Sequence, residues 1–175
     1  MNAEIEKKYL IKRPSIEILS SQSMYELWNI EQTYLNSAPG VTHRVRRILK
    51  DGAFAFYETK KIRVSAVFAY ESEREIAEIE YRELLKAKRE GTRTIKKDRH
   101  RFMLDGQIFE IDFYPEWLYV AVLETELASV DTVVNMPAFL GEPYEVTELK
   151  KYKNFAMAQN FPNEPYDPIC DTFCP

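Results

Sequence analysis

Charged side chains recur along this sequence at a spacing of two, with acids grouped in some segments and bases in others. Glu4, Glu6 and Lys8 alternate with Ile5, Lys7 and Tyr9, while Arg44 and Arg46 alternate with Val45 and Arg47. Lys61 follows Thr59 by two, Glu71 and Glu73 form a pair, and Lys97, Arg99 and Arg101 run in phase with Ile95. Glu110 and Asp112 alternate with Phe109, Ile111 and Phe113, and Glu124 and Glu126 with Leu123, Thr125 and Leu127. Lys and Arg are the usual partners of phosphate oxygens, and paired carboxylates suit a hard divalent cation such as Mg²⁺ or Mn²⁺. Combined, the two sets describe a metal-bridged polyphosphate site.

A spacing of two places side chains on one face only if the segments are strands. Alternation rich in β-branched and aromatic residues predicts strands near 3–12, 25–36, 41–49, 53–62, 67–75, 93–103, 107–114 and 119–128. Asp51-Gly52 and Asp105-Gly106 each separate two such runs, as hairpin turns do. Helices are expected at 76–90, stopping at Gly91, and at 148–159, with Pro14 and Ser15 opening a short helix in the first connection. Many antiparallel strands with few helices point to a mainly β, barrel-like fold. The apolar phase of each strand needs a core, so the charged phase faces either bulk solvent or a lumen. Solvated outer faces explain any single strand. Seven strands with segregated signs favour a lumen in which acids and bases neutralise each other until a ligand arrives.

The 175 residues suit one domain, with 45% hydrophobic and 30% charged residues, as in a globular protein. A net charge of −4 argues against broad nucleic-acid binding. No apolar run approaches the roughly 20 residues of a membrane span, and Met1–Leu10 lacks the layout of a signal peptide, so a cytoplasmic location is expected. Cys170 and Cys174 lie in a Pro-rich tail without the further Cys or His of a zinc site, and free thiols in a loose tail are expected.

The order of these blocks resembles the CYTH family of triphosphate tunnel metalloenzymes. Glu4-Ile5-Glu6-Lys7-Lys8 matches the ExExK motif that marks the family. It is followed by Glu31-Gln32-Thr33-Tyr34-Leu35, Arg44-x-Arg46, Thr59-x-Lys61, Glu71-x-Glu73, Lys97-x-Arg99, Glu110-x-Asp112, Glu124-x-Glu126 and Val146-Thr147 with Lys151-Tyr152-x-Asn154. The resemblance covers residues 1–160 and leaves 161–175 as a C-terminal tail. It implies an eight-stranded antiparallel closed β-barrel, a tunnel with a polar lumen and outer helices. By resemblance, Glu4, Glu6, Glu124 and Glu126 hold a catalytic Mg²⁺ or Mn²⁺, and Lys8, Arg44, Arg46, Lys61, Lys97 and Arg99 bind phosphates. Tyr34 pairs with Lys8 in activating water, and Glu71, Glu73, Glu110 and Asp112 complete an acidic wall or second metal site. The inward lysine is either Lys60 or Lys61.

The expected activity is hydrolysis of a small-molecule triphosphate, inorganic triphosphate first among them. Adenylate cyclase and thiamine triphosphatase are the catalytic alternatives, and a non-catalytic polyphosphate-binding module is the alternative of another class. The expected state is a monomer or homodimer acting without nucleic acid or membrane. His43 and His100 fall out of phase with the basic face and are expected at the surface. Trp28 and Trp117 are expected to pack.

Overall fold

The computed structural model describes residues Met1–Pro175. Eight long strands form the barrel: β1 (Asn2–Lys12), β2 (Ser23–Leu35), β3 (Val41–Lys50), β4 (Ala53–Arg63), β5 (Phe68–Ile76), β6 (Ile95–Leu104), β7 (Gln107–Phe113) and β8 (Val120–Glu126). They pair antiparallel in the order β5-β4-β3-β2-β6-β7-β8-β1, and a β5–β1 ladder closes the ring. A ninth short strand, β9 (Tyr144–Glu145), adds to β1 at Tyr9 and Leu10. Asp51-Gly52 and Asp105-Gly106 both take positive φ at the two central positions, the twist that two-residue hairpins between β3–β4 and β6–β7 require.

Alternation sorts the side chains onto two faces. Outside, Tyr9, Ile11, Phe102, Phe109, Ile111, Phe113, Ala121 and Leu123 form one apolar cluster, covered by Leu19 of the short helix α1 (Ile16–Ser20) and by Leu140. Ser15 caps α1 by accepting from the Ile18 amide. A second outer cluster, of Leu35, Val45, Phe56 and Ile76, is covered by Tyr81 of helix α2 (Glu78–Leu85). The inward phase is charged over most of its length but turns apolar at one end. There Leu10 follows Lys8, Ile95 precedes Lys97, and Val120 and Val122 precede Glu124; all pack with Trp117 of the β7–β8 connection and with Tyr152 and Met157 of the C-terminal segment. That end of the barrel is filled and the charged remainder stays open.

Four expectations are corrected. Helix 76–90 is only α2, because Ile76 pairs with Phe56 as the last residue of β5. Residues past Leu85 leave the helix to bond the end of β2, Arg89 N donating to the Tyr34 carbonyl and Asn36 N to that of Ala87. The helix expected at 148–159 breaks at Lys153, whose backbone is extended between a single 3₁₀ turn (Lys150–Tyr152) and helix α3 (Asn154–Gln159). The break leaves the Tyr152 carbonyl free to accept from the Lys8 ammonium at 3.2 Å.

The third correction concerns His100, which is buried rather than at the surface. The outer face it occupies is covered by Tyr25, whose hydroxyl lies 2.9 Å from His100 Nδ1, and its ring centre lies 4.3 Å from that of Phe113 in a tilted contact. His43 is half-buried, with Nε2 2.7 Å from Glu58 Oε1. Fourth, the tail is not loose. It forms a hairpin of β10 (Tyr166–Asp167) and β11 (Thr172–Phe173), and Phe161, Tyr166 and Phe173 pack on the apolar end of the barrel. Both cysteines are free and exposed, as expected. No helix is long and apolar enough to cross a membrane.

Trp117 is the largest fully buried side chain, and its indole N–H donates to the Pro162 carbonyl at 3.1 Å. Trp117→Ala is therefore expected to destabilise the fold by about 3–5 kcal/mol, measured as a shift in urea unfolding of the purified chain.

Candidate active site

Strand register builds the lumen wall. Lys8 lies opposite Glu124 across β1–β8, Arg99 opposite Asp112 and Arg101 opposite Glu110 across β6–β7, and Lys61 opposite Glu71 across β4–β5. Directly opposed charges of unlike sign stabilise a sheet pair, and like charges destabilise it. Of the residues expected at the site, Glu4, Glu6, Lys8, Tyr34, Arg44, Arg46, Lys61, Glu71, Glu73, Lys97, Arg99, Glu110, Glu124 and Glu126 line one cavity of about 970 Å³. Asp112 is fully buried beneath that wall. Lys61, not Lys60, points inward. It pairs with Glu4 and lies 3.5 Å from Glu71, whereas Lys60 is exposed and 3.5 Å from Glu58.

The wall is a lattice of ion pairs. Arg99 donates to Asp112 through Nε at 2.7 Å and Nη2 at 2.8 Å, to Glu124 through Nη2 at 2.6 Å, and also to Glu110. Lys97 pairs with Asp112 Oδ2, which it shares with Arg99 Nη2. The Lys8 ammonium lies 2.6 Å from Glu124. On the facing wall Arg46 and Thr59 share Glu73, the Thr59 hydroxyl at 2.8 Å, and Arg44 lies 3.6 Å from Glu71.

Glu6 and Glu126 differ from the rest, because they face each other across β1–β8 and the wall offers neither an ion pair. Partial burial, then repulsion from Glu4, Glu110, Glu6 and Glu71, raises the Glu126 carboxyl above its ordinary range, although its side chain still reaches solvent. No three acidic, His or Cys side chains are gathered into a preformed metal cage.

Protonation states follow from this packing. Burial alone would pull the Lys8 ammonium down, but Glu124 and then Glu6 hold it above its ordinary range, so Lys8 is a proton donor throughout the neutral range. Burial raises the Tyr34 phenol, so it too keeps its proton, and its oxygen accepts from Gln32 Nε2 at 2.8 Å. No hydrogen bond joins Tyr34 to Lys8, whose ammonium is already engaged by Glu124 and the Tyr152 carbonyl. Burial and then Arg99 draw Lys97 down to about 8.

Trp28, Gln32, Arg63 and Lys153 are among the lining residues outside the set expected from sequence. Trp28 is half-buried on the lumen wall, donates from Nε1 to Glu26 at 3.1 Å, and lies under Lys50 and Arg101 at 5.6 and 5.7 Å from its ring centre. This corrects its expected role in packing, which Trp117 alone fulfils. Trp28, Gln32 and Tyr34 share one phase of β2, so the spacing of two that marked the charged residues marks these as well. Lys153 carries no such signal. It comes from the break before α3, donates to the Ala66 carbonyl at 3.1 Å, and is drawn down to about 8 by burial and then by Lys8.

A closed antiparallel barrel with an ion-paired lumen is the class of structure, and it is similar to the CYTH-type triphosphate tunnel fold. Solved structures agree. The inorganic triphosphatase NE1496 is 28% identical over 93% of this chain and 99% of its own, with a TM-score of 0.56. The PH1819 protein from Pyrococcus horikoshii OT3 shares the fold at 19% identity, over 73% of this chain and 80% of its own, with a TM-score of 0.58. The PH1012 protein of the same organism shares it at 22% identity, over 72% and 80%, with a TM-score of 0.54. No protein-family model and no curated protein matches the chain.

A raised carboxyl binds its proton more tightly in the folded state, so its contribution to stability falls as pH rises above the ordinary value of 4.5. Glu126→Gln removes that penalty. The variant should melt above wild type at pH 7 in metal-free buffer, with the gap closing below about pH 4.5, as followed by thermal scans across pH.

Proposed function

We propose that this chain is a metal-dependent triphosphatase that hydrolyses inorganic triphosphate to pyrophosphate and phosphate inside the barrel. The observation that carries the reading is the lumen itself, where six basic residues expected to bind phosphate line one cavity and are held by carboxylates from other strands. Surface lysines alone would suit any anion. Cations held by carboxylates inside a barrel suit a compact polyanion that exchanges one set of ion pairs for another. Likeness to an inorganic triphosphatase supports the same substrate class.

The donor set fits a hard divalent cation. It is all oxygen, and the opposed pair Glu6 and Glu126 lacks any cation of the protein's own. Glu6 and Glu126 would hold the metal, with Glu4 and Glu124 available on the same two strands once Lys61, Lys8 and Arg99 turn to phosphate. Bound there, Mg²⁺ or Mn²⁺ supplies charge neutralisation of the phosphoryl oxygens. Arg44, Arg46, Lys61, Lys97 and Arg99 grip the triphosphate and set it in line for attack. Lys8 and Tyr34, both protonated, donate hydrogen bonds where negative charge grows, and they do not act as bases. Water attacks the terminal phosphorus, and the electron pair of the breaking P–O bond leaves with pyrophosphate.

A second reading rests on Trp28. An indole on the lumen wall, with cations beside it, is a surface on which a planar organic group stacks. It favours a nucleoside or thiamine triphosphate over inorganic triphosphate. A non-catalytic binding module has no use for the Glu6–Glu126 pair.

The test is phosphate release from inorganic triphosphate, ATP and thiamine triphosphate, each with Mg²⁺, Mn²⁺ or EDTA. Fastest release from inorganic triphosphate, abolished by EDTA, is expected. Cyclic AMP formed from ATP, or a preference for an organic triphosphate, would replace that substrate assignment. Glu6→Gln and Glu126→Gln should each lose at least about 100-fold in turnover, since even groups that merely support a metal ligand cost 10–100-fold when removed. Wild-type turnover in either variant would sink the metal assignment.

A further inference from the structure

Gln32 is 1% exposed and lies on the lumen wall one alternation step from Tyr34. Its Nε2 donates to the Tyr34 hydroxyl oxygen at 2.8 Å, and its Oε1 is buried with no hydrogen-bond partner. Buried acceptors are nearly always satisfied, and each exception calls for a reason. Across β2–β3 Gln32 sits opposite Arg46 and Tyr34 opposite Arg44. The Nε groups of both arginines are likewise buried without a partner. One orphan acceptor flanked by two orphan donors is an incomplete set that a ligand completes.

Phosphoryl oxygens satisfy the guanidinium donors, but an ionised triphosphate has no hydrogen to offer Gln32. In triphosphate hydrolysis the remaining reactant is water, which has two. Building on the triphosphatase reading above, we propose that Gln32 Oε1 accepts a hydrogen bond from the attacking water and fixes its lone pair on the phosphorus beside Arg44 and Arg46. The amide takes no proton. As the new P–O bond forms, the bridging P–O bond breaks with its electrons on pyrophosphate, and the water protons pass to the products and solvent. A glutamine amide orienting water is a recurring device of phosphoryl transfer. Gln32 fills it here because Tyr34 fixes the other end of the amide.

Turning the amide over would reverse the roles, with Tyr34 donating to Oε1 and the NH₂ facing phosphate. The two arrangements leave opposite kinetic signatures. The experiment uses the full-length chain with inorganic triphosphate and Mg²⁺. Gln32→Met keeps the side-chain length and removes the acceptor. It is expected to lower kcat about 100-fold, with KM within about twofold of wild type. Its melting temperature should fall by no more than a few degrees, because the Nε2 bond to Tyr34 is lost together with the unsatisfied Oε1. Gln32→Glu restores an acceptor and should recover at least tenfold in kcat over Gln32→Met at saturating substrate.

A raised KM with wild-type kcat in Gln32→Met would overturn the inference by assigning the amide to phosphate binding. A melting temperature lowered by more than a few degrees, with no rescue of kcat by Gln32→Glu, would overturn it by assigning Gln32 to the fold. Wild-type kcat in an active protein would overturn this inference alone. A wild-type chain inert towards every triphosphate and metal overturns the triphosphatase reading, and this one with it.

Discussion

Everything in this barrel answers to one electrostatic constraint, the need to hold many charges in an enclosed lumen without leaving them bare. Desolvating a charge costs several kcal/mol unless a partner compensates it closely. The chain meets that demand through strand register, so that Lys8 with Glu124, Arg99 with Asp112 and Lys61 with Glu71 are neighbours before their side chains adjust. Shifting any strand by one residue would turn its charges into the outer apolar clusters and its apolar residues into the lumen. The outer packing and the inner lattice therefore select the same register. Among the groups left uncompensated, Glu6 and Glu126 suit the proposed metal ion, and the Gln32 carbonyl suits the proposed attacking water.

The same inward phase does two jobs. Along β1, β6 and β8 it is charged and then apolar, so one end of the barrel is a core and the rest is a site. Trp117, Tyr152 and Met157 fill the apolar end and hold the C-terminal segment there. Stability and binding are thereby divided along the barrel axis rather than between its inside and its outside.

The barrel and most of the wall were legible in the sequence because a strand has a period of two and a lumen imposes that period on charge. Every charged site residue named from the pattern lines the cavity, except Asp112, which lies beneath it. The turns at Asp51-Gly52 and Asp105-Gly106 were equally legible, because few residue pairs tolerate positive φ twice. What escaped has physical reasons. Ile76 reads as the start of a helix, yet its ladder with Phe56 outweighs helical spacing. His100 reads as exposed because pattern gives its phase but not Tyr25 lying over it. Trp28 and Gln32 were in phase with the wall, but neutral side chains do not stand out where charge is the signal. Lys153 reaches the site from an irregular segment, where no period exists to read.

Lys8 is bound at both ends to residues made much later. Its backbone N–H donates to the Thr147 hydroxyl at 3.0 Å, 139 residues on, and its ammonium donates to the Tyr152 carbonyl, 144 residues on. Its strand neighbour β8 is also more than a hundred residues downstream. During synthesis on the ribosome β1 therefore emerges first and waits longest for its partners. Contacts this distant in sequence make folding slow and leave early strands open to wrong pairing. The alternating charges of β1, with Lys7 on its outer face, keep that waiting strand soluble. The lumen takes shape only when the last third of the chain has been made, so a nascent fragment has no competent site.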